Sequence, residues 1–240
     1  EHPDMDWADA YAIQDEIRRR KEARGCKTVG LKCGLTSFAK MKQMGVDVPV
    51  FGFVSDYMSR PEGAAIAVKE LIHPKVEAEI CVVTKAPLRG PGCHVGAVMA
   101  AIDFVLPGVE VIDSRYRDFK FDLKSVIADN TSASRFVVGG RPRNVEDVDL
   151  RTLGVVMEKN GKIVAMAAGA AVLGLLAPAR LLDYVENFIV FHRETNKVVR
   201  AASLIAARGC ITWPLAMTTA VPAAVAFGKT VSSLTMAIVW

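Results

Sequence analysis

The segment IHPKVEAEICVV, from Ile72 to Val83, constrains the fold of this chain more than any other part of the sequence. In its centre, small and branched apolar residues alternate with Glu77 and Glu79. Strict alternation is typical of a β-strand, in which residues two apart face the same side at a spacing of roughly 6.5–7 Å. In a helix the two glutamates would diverge. The pattern therefore predicts a strand that carries both carboxylates on one face.

A third glutamate lies in a similar setting. Glu110 occupies the segment LPGVEVIDSR, from Leu106 to Arg115, with a valine on each side. Carboxylates held close together among apolar residues repel one another and lose hydration, and a bound cation removes both penalties. Three oxygen ligands on neighbouring strands suit a hard cation such as Mg²⁺ or Mn²⁺. The alternative interpretation is that this strand face is simply exposed to solvent.

His73 is the nearest nitrogen ligand in the sequence. It has the same parity as Glu77, but Pro74 is expected to break the strand between them. We therefore interpret His73 as a structural or supporting residue, not as a metal ligand.

The remainder of the chain mixes helical and strand patterns. Apolar residues at helical spacing follow Asp6, and Gly25 is a suitable end for that helix. The Asn160-Gly161 pair between two alternating runs predicts a tight hairpin turn. The expected helices are Asp6–Arg24, Ser37–Met44, Gly96–Phe104, Ala179–Phe188 and Lys197–Arg208. The expected strands are Thr28–Leu35, Ala64–Val68, Val76–Thr84, Val109–Ile112, Leu153–Lys159 and Lys162–Ala167.

The order of these elements predicts an α+β fold built around a large, strongly curved mixed β-sheet. At 240 residues the chain is long enough to bury one sizeable core. We expect a smaller N-terminal helical and β portion over residues 1–60 and a metal-binding β-roll, the catalytic domain, over residues 61–240. Because the chain begins at Glu1 and not at a methionine, the N-terminal portion is expected to be truncated at its start.

Composition and charge narrow the range of functions. The net charge is +4, with no basic stripe interleaved with aromatic residues, so we expect no nucleic-acid partner. The five cysteines are odd in number and form no C-x-x-C pair, so reduced thiols in a cytoplasmic protein are the simplest account. The N-terminal residues are charged and polar, unlike those of a signal peptide.

One long stretch of the chain carries no formal charge. It runs from Gly209 to Gly228, and about 20 apolar residues are enough to cross a bilayer. Pro214, Pro222 and several threonines interrupt it, however. We therefore expect a pair of buried strands in this stretch and no membrane partner.

Four motifs, in their order and separations, resemble the fumarylacetoacetate hydrolase superfamily. They are GLKCGLT (Gly30 to Thr36), HPKVEAEI, PGVEVIDSR and IADNTSASRFVVGG (Ile127 to Gly140). Within it, the chain is most similar to the branch of 2-oxopent-4-enoate hydratases and 4-oxalocrotonate decarboxylases, which act late in the meta-cleavage degradation of aromatic compounds. The resemblance runs from about Trp7 to Gly174 and implies the β-roll of that superfamily.

The resemblance also implies roles for single residues. Glu77, Glu79 and Glu110 correspond to the family's ligands for Mg²⁺ or Mn²⁺. Lys32 corresponds to a glycine-flanked lysine and is the candidate catalytic residue, which would add positive charge near an enolate oxygen or move a proton. A structural salt bridge is the alternative role for Lys32. Ser132 corresponds to a serine that contacts substrate.

The implied substrate is a small 2-oxo acid, 2-oxohex-3-enedioate. Its 1-carboxylate and 2-oxo group would chelate the metal, which acts as a Lewis acid, so that no nucleophile is required. Arg115 is the candidate for binding the distal carboxylate, and a supporting role beside Glu110 is the alternative. We expect a homo-oligomer, with the hydratase of the same pathway as a candidate partner.

The choice between the two branches rests on a few segments. RRRKEARG, YRDFKFDLKSVIADN and DLRTLGVVMEKNGK are more similar to the decarboxylases. Hydratases carry an acid in a P-D-F-G segment, where this chain has PVFG with Val50 in the acid's place. Because hydration needs that acid more than decarboxylation does, we expect a decarboxylase. A 2-oxopent-4-enoate hydratase and a non-catalytic partner subunit of such a complex are the alternatives.

Residues 175–240 depart from the family pattern. Leu175 and Leu176 stand where the family has a His-Pro pair, and MTTAVP (Met217 to Pro222) lacks the paired glycines. The segment from Asp183 to Val199 has no counterpart. Small residues that expose backbone beside the substrate are therefore expected to be missing from this part of the chain.

Overall fold

The structure is a computed structural model. It describes residues 4–37, 41–42, 45–46, 49–88, 94–150 and 152–169, together with the backbone of residues 189–192, 221–227 and 230–239. Helices and sheets are both present in these ranges, which confirms the predicted α+β class.

The N-terminal helix α1 spans Trp7–Ala23, as the sequence predicts. Asp6 caps its first turn, because the Asp6 carboxylate accepts from the Asp9 backbone N–H at 2.8 Å. The Asp9 carboxylate accepts in return from the Asp6 backbone N–H at 3.1 Å, which completes a capping box. The chain leaves the helix at Gly25, whose φ of 90° favours glycine.

The buried face of α1 includes a polar residue. Ala10 and Gln14 are buried, whereas Ile13 is 44% exposed. A polar side chain therefore points into the protein from this helix, where it donates to the carbonyl oxygens of Phe51 and Ile127.

Strands β1 (Thr28–Gly34) and β2 (Val50–Ser55) form a two-stranded antiparallel sheet. Lys32 pairs with Gly52 in this register. Lys32 is therefore held on a paired strand and not on a loop, which fixes the direction of its side chain.

A five-stranded mixed sheet carries the three glutamates. Its strand order is β3-β6-β5-β4-β9. The β4–β5 and β5–β6 pairs are antiparallel, whereas β3–β6 and β4–β9 are parallel. The strands are β3 (Ser59–Arg60), β4 (Lys75–Thr84), β5 (Ile102–Ile112), β6 (Ala133–Val138) and β9 (Ile189–His192).

The two faces of β4 pack against different parts of the core. Ile80 and Val82 belong to the larger apolar cluster on one face. Cys81 belongs to a second cluster on the other face, the face of Glu79. Fully burying a side chain of the size of valine or isoleucine contributes about 1.5–3 kcal/mol, so this register is strongly favoured over a one-residue slip.

A four-stranded sheet has the order β10-β11-β7-β8. Strands β7 (Gly154–Lys159) and β8 (Lys162–Ala168) form the predicted hairpin. Asn160 and Gly161 both have positive φ, 53° and 73°, as a tight turn of this kind requires. Strands β10 (Val221–Phe227) and β11 (Thr230–Val239) complete the sheet.

One predicted strand and the end of one predicted helix are wrong. The segment Ala64–Val68 is not a strand, because Ile66 is buried as a single anchor without pairing to a neighbouring strand in the described part of the chain. Helix α2 covers Val95–Ala101 instead of Gly96–Phe104. The residues from Ile102 onward pair with the end of β4 as part of β5, since this apolar run packs better as a buried strand.

Several predicted elements lie wholly or largely outside the described residues. They are the helices Ser37–Met44, Ala179–Phe188 and Lys197–Arg208, and most of the stretch from Gly209 to Gly228. Within that last stretch, β10 is described and is a strand. The helices in the described residues are too short or too polar to cross a membrane.

Candidate metal and substrate site

The structure brings Glu77, Glu79 and Glu110 together. Glu77 on β4 lies directly opposite Glu110 on β5 in the antiparallel register, and Glu79 lies opposite Gly108. One carboxylate oxygen from each residue lies within 4.8 Å of the corresponding oxygens of the other two. Such a spacing allows one cation to contact all three carboxylates.

A glycine makes room beside the glutamates. A Cβ added to Gly108 would overlap the sulfur of Cys81 and lie 3.6 Å from the Glu79 carbonyl oxygen. Strand β5 can therefore approach β4 closely at this pair only because residue 108 has no side chain.

The electrostatics of the cluster are unfavourable without a counter-ion. Burial, reinforced by the negative charges of Glu110 and Glu77, raises the pKa of Glu79 well above its ordinary value. Burial also raises the pKa of Glu110, against the opposing effect of Lys32. Three carboxylates face one ammonium group here, so the ionised cluster carries a formal excess of two negative charges. A divalent hard cation fits both this charge and the all-oxygen ligand set.

Lys32 lies next to this cluster. Its Nζ is 2.6 Å from Glu110 Oε1, and both side chains are only 2% exposed. The same ammonium group donates a hydrogen bond to the Thr131 carbonyl oxygen at 3.1 Å. Lys32 thus connects a candidate metal ligand to the turn that contains Ser132.

That turn, residues 130–132, has an unusual backbone. Asn130, Thr131 and Ser132 have φ values of 53°, 51° and 58°, so three successive non-glycine residues are left-handed. Each such residue costs on the order of 1–3 kcal/mol, and strain of this kind persists only where surrounding contacts impose it. The Ser132 Oγ and the Thr131 Oγ1 are both buried without a hydrogen-bond partner. Buried hydroxyls without partners are uncommon and are available to a ligand.

Arg115 contacts the residues on either side of the same turn. Its guanidinium donates to Asp129 Oδ1 and the Asp113 carbonyl oxygen, both at 2.7 Å, and to the carbonyl oxygens of Ala133 and Asp129. The contacts described for Arg115 are therefore with residues beside the turn and not with the turn itself. Its role as a substrate ligand stays a prediction.

His73 is not among the grouped metal-ligating side chains. Its ring stacks on Phe119 at a centroid distance of 4.6 Å. Its backbone N–H donates to the Asp113 carboxylate at 2.8 Å, as does that of Ile72 at 2.9 Å. Asp113 therefore fixes the loop that leads into β4, a contribution that the sequence interpretation missed.

Val50 is 1% exposed and packs with Ala10 and Ile127. It lies two residues from Gly52, the partner of Lys32, and so has the same strand parity as that glycine. An acid at this position would therefore share the strand face of Gly52.

The sequence interpretation also missed the contacts of two buried amides, Asn130 and Gln14, although the motif around Asn130 was recognised. The Asn130 side chain bonds to the backbone of Phe53, and Gln14 bonds to Phe51 and Ile127. Since both amides bind backbone groups far away in the sequence, their partners leave no local pattern that could have been read.

The fold and site together define an α+β protein with three converging carboxylates, one buried and two half-buried, that suit a hard divalent cation. No protein-family model matches the chain. It is 58% identical over 224 residues to 4-oxalocrotonate decarboxylase of Pseudomonas sp. strain CF600, covering 93% of this chain and 80% of that protein. It is also 67% identical over 174 residues to 4-oxalocrotonate decarboxylase of Pseudomonas putida, covering 72% of this chain and 66% of that one. The chain therefore belongs to the 4-oxalocrotonate decarboxylase family of the fumarylacetoacetate hydrolase superfamily, which confirms the predicted resemblance.

A solved structure supports the same family assignment. This chain has a TM-score of 0.72 to 4-oxalocrotonate decarboxylase from Pseudomonas putida G7 complexed with magnesium and adipate, at 53% identity. That match covers 90% of this chain and 81% of the other. A 2-hydroxypent-2,4-dienoate hydratase of Pseudomonas putida is 38% identical, covering 77% of this chain and 82% of the hydratase. The 224-residue match also extends the similarity beyond the predicted limits of Trp7 and Gly174.

Proposed function

We propose that this chain is a carbon–carbon lyase that decarboxylates 2-oxohex-3-enedioate to 2-hydroxypenta-2,4-dienoate and CO₂, in the meta-cleavage degradation of aromatic compounds. The observation that carries the proposal is the cluster of Glu77, Glu79 and Glu110 beside the buried Lys32, with its excess of negative charge. The identity to proteins named 4-oxalocrotonate decarboxylase supports the choice of reaction. The related structure that contains magnesium and adipate, a six-carbon diacid, supports the choice of substrate class.

The three glutamates would hold Mg²⁺ or Mn²⁺. When bound, the cation supplies a Lewis acid that withdraws electrons from the 2-oxo group of the substrate. The bond between C5 and C6 breaks, C6 leaves as CO₂, and the electron pair forms the C4–C5 double bond. The former C3–C4 double bond moves to C2–C3, and the C2 oxygen takes the negative charge. Protonation of that oxygen gives the product, so the reaction needs no nucleophile and no other reactant.

Lys32 is proposed as the catalytic residue. Its ammonium group lies 2.6 Å from a candidate metal ligand, which supports a position where it can stabilise charge on the C2 oxygen or donate the proton. Its low exposure supports this role, because a charge acts most strongly where water is excluded.

Ser132 is proposed to donate a hydrogen bond to a substrate carboxylate. Its buried Oγ without a protein partner supports this role. Arg115 is proposed for the distal carboxylate, with which a guanidinium can form two parallel hydrogen bonds. The competing role for Arg115 is to hold Asp129 and the turn after it, and its present hydrogen bonds favour that role.

The proposal extends to the rest of the protein. We infer a β-roll catalytic domain over residues 61–240, with the large sheet strongly curved, and an N-terminal portion over residues 1–60. Exposed apolar side chains on β8, such as Met166 at 67% exposure, support assembly into a homo-oligomer, with the pathway hydratase as a further partner. The free thiols of Cys26 and Cys81 support a cytoplasmic location.

The test is a pair of assays on the purified chain with Mg²⁺. CO₂ release from 2-oxohex-3-enedioate is expected, with weak hydration of 2-hydroxypenta-2,4-dienoate. Addition of EDTA is expected to abolish CO₂ release, and Mg²⁺ is expected to restore it. Robust hydration without CO₂ release would replace the proposal by a hydratase, and metal binding without either reaction would favour a non-catalytic subunit.

A further inference from the structure

The turn 130–132 contains Ser132 and accepts a hydrogen bond from Lys32, so what holds it in its strained conformation bears on the reaction. We propose that Asn130 is a positioning residue that holds this turn left-handed, so that the Thr131 carbonyl orients Lys32 and the Ser132 hydroxyl stays free for substrate. The inference rests on the proposed function, because the proposed function assigns Lys32 and Ser132 their roles.

The side chain of Asn130 pairs with β2 as a further strand would. Its Oδ1 accepts from the Phe53 backbone N–H at 2.8 Å, and its Nδ2 donates to the Phe53 carbonyl oxygen at 2.9 Å. Asn130 is buried, and both hydrogen bonds are shielded from water. The pairing therefore fixes both the position and the orientation of the first residue of the turn.

The neighbouring glycine makes this pairing possible. A Cβ on Gly52 would overlap Thr131 Oγ1 and lie 2.9 Å from Asn130 Oδ1. The turn therefore lies directly against the backbone of β2 at the residue that pairs with Lys32.

Two hydrogen bonds connect the turn that Asn130 holds to its surroundings at the site. Lys32 Nζ donates to the Thr131 carbonyl oxygen at 3.1 Å. The Asp113 backbone N–H donates to the Ser132 carbonyl oxygen at 2.8 Å. If the turn relaxed to a right-handed conformation, both carbonyl groups would rotate away, and Lys32 would lose an acceptor that sets its direction towards Glu110.

Gln14 provides a matched comparison. Its Nε2 donates to the carbonyl oxygens of Phe51 and Ile127, both at 2.8 Å. It therefore binds the same edge of β2, two residues before Phe53, and it is also buried. The hydrogen bonds described for Gln14 do not involve residues 130–132, so its loss removes a comparable contact from β2 without releasing the turn.

A competing explanation for Asn130 is its tolerance of positive φ, which asparagine adopts more readily than most residues. Asn130→Gly separates the two explanations, because glycine accepts that conformation but cannot pair with Phe53. Asn130→Asp is nearly isosteric and gives a second comparison, since it places an oxygen against the Phe53 carbonyl oxygen.

The experiment measures kcat, KM and the melting temperature of wild type, Asn130→Gly, Asn130→Asp and Gln14→Ala, with Mg²⁺ and 2-oxohex-3-enedioate. Both Asn130 variants are expected to lose roughly 10–100-fold in kcat, with a much smaller change in KM. Gln14→Ala is expected to keep kcat within about threefold of wild type at a similar loss of melting temperature. Wild-type kcat in Asn130→Gly, or an equal loss of kcat in Gln14→Ala, would overturn the proposal.

A wild-type protein without turnover would refute the proposed function and would leave the positioning role to be decided by structure. Crystals of Asn130→Gly are then expected to show Thr131 and Ser132 outside the left-handed region and the Lys32–Thr131 hydrogen bond broken. An unchanged turn with that hydrogen bond intact would show that Asn130 does not position it.

Discussion

Replacing Lys32 by methionine tests the electrostatic account of the site. The expected loss of stability follows from burial, because Lys32 and Glu110 are each 2% exposed and 2.6 Å apart. The substitution leaves the buried Glu110 carboxylate without its ammonium partner. Breaking a buried pair of this kind costs about 3–5 kcal/mol, whereas an exposed pair contributes only about 0–1 kcal/mol. In a chain of this length the expected fall in melting temperature is roughly 6–20 °C.

The assay is urea unfolding in EDTA, so that metal binding does not contribute. The double variant Lys32→Met, Glu110→Gln removes both charges, and it is expected to recover to within about 1–2 kcal/mol of wild type. The difference between wild type and Lys32→Met is expected to be larger at pH 8 than at pH 5, because protonation of Glu110 relieves the variant at low pH. A loss below about 1 kcal/mol, or a double variant less stable than the single one, would refute the reasoning.

Three further predictions concern the raised pKa values of the glutamates, the close contact at Gly52 and the Ser132 hydroxyl. In EDTA, the free energy of unfolding of the wild type is expected to fall as pH rises above 4.5, because Glu79 and Glu110 have raised pKa values in the folded state. Urea titrations at several pH values measure this dependence, and Glu79→Gln is expected to make it weaker. Gly52→Ala is expected to lower the free energy of unfolding by about 1–3 kcal/mol, measured by calorimetry. Gly34→Ala, whose Cβ would lie 3.3 Å from Val50 Cγ2, is expected to lower it less. Equal losses would count against the close contact between Gly52 and Thr131. Ser132→Ala is expected to lower kcat/KM while changing stability by no more than about 0.5 kcal/mol, since its hydroxyl has no protein partner; unchanged kinetics would remove Ser132 from the site.

Local chemistry explains which parts of the fold could be predicted. Strand β4 and the β7–β8 hairpin follow from alternation and from the Asn160-Gly161 turn, both of which are short-range signals. The boundary between α2 and β5 could not be predicted, because the apolar run around Ile102 has no clear period. The segment Ala64–Val68 is an apolar run like that of a buried strand, yet one buried residue, Ile66, anchors it as a loop.

The sequence predicted only part of the geometry of the candidate site. The parity of Glu77 and Glu79 places both on one face of a strand, but only the register of β4 against β5 places Glu110 opposite them. Asn130 was missed because its partner, the backbone of Phe53, lies 77 residues earlier in the chain. Contacts between a side chain and a distant backbone group depend on the whole fold and leave no sequence pattern.

The central claim is that Glu77, Glu79 and Glu110 bind one divalent cation. The most direct measurement is a titration of metal-free protein with Mn²⁺, followed by electron paramagnetic resonance, on wild type, Glu79→Gln and the exposed control Glu146→Gln. We expect one tightly bound Mn²⁺ per chain in wild type and in Glu146→Gln, with affinity lost in Glu79→Gln. Equal Mn²⁺ binding by wild type and Glu79→Gln would contradict the account, because the cation would then lie elsewhere.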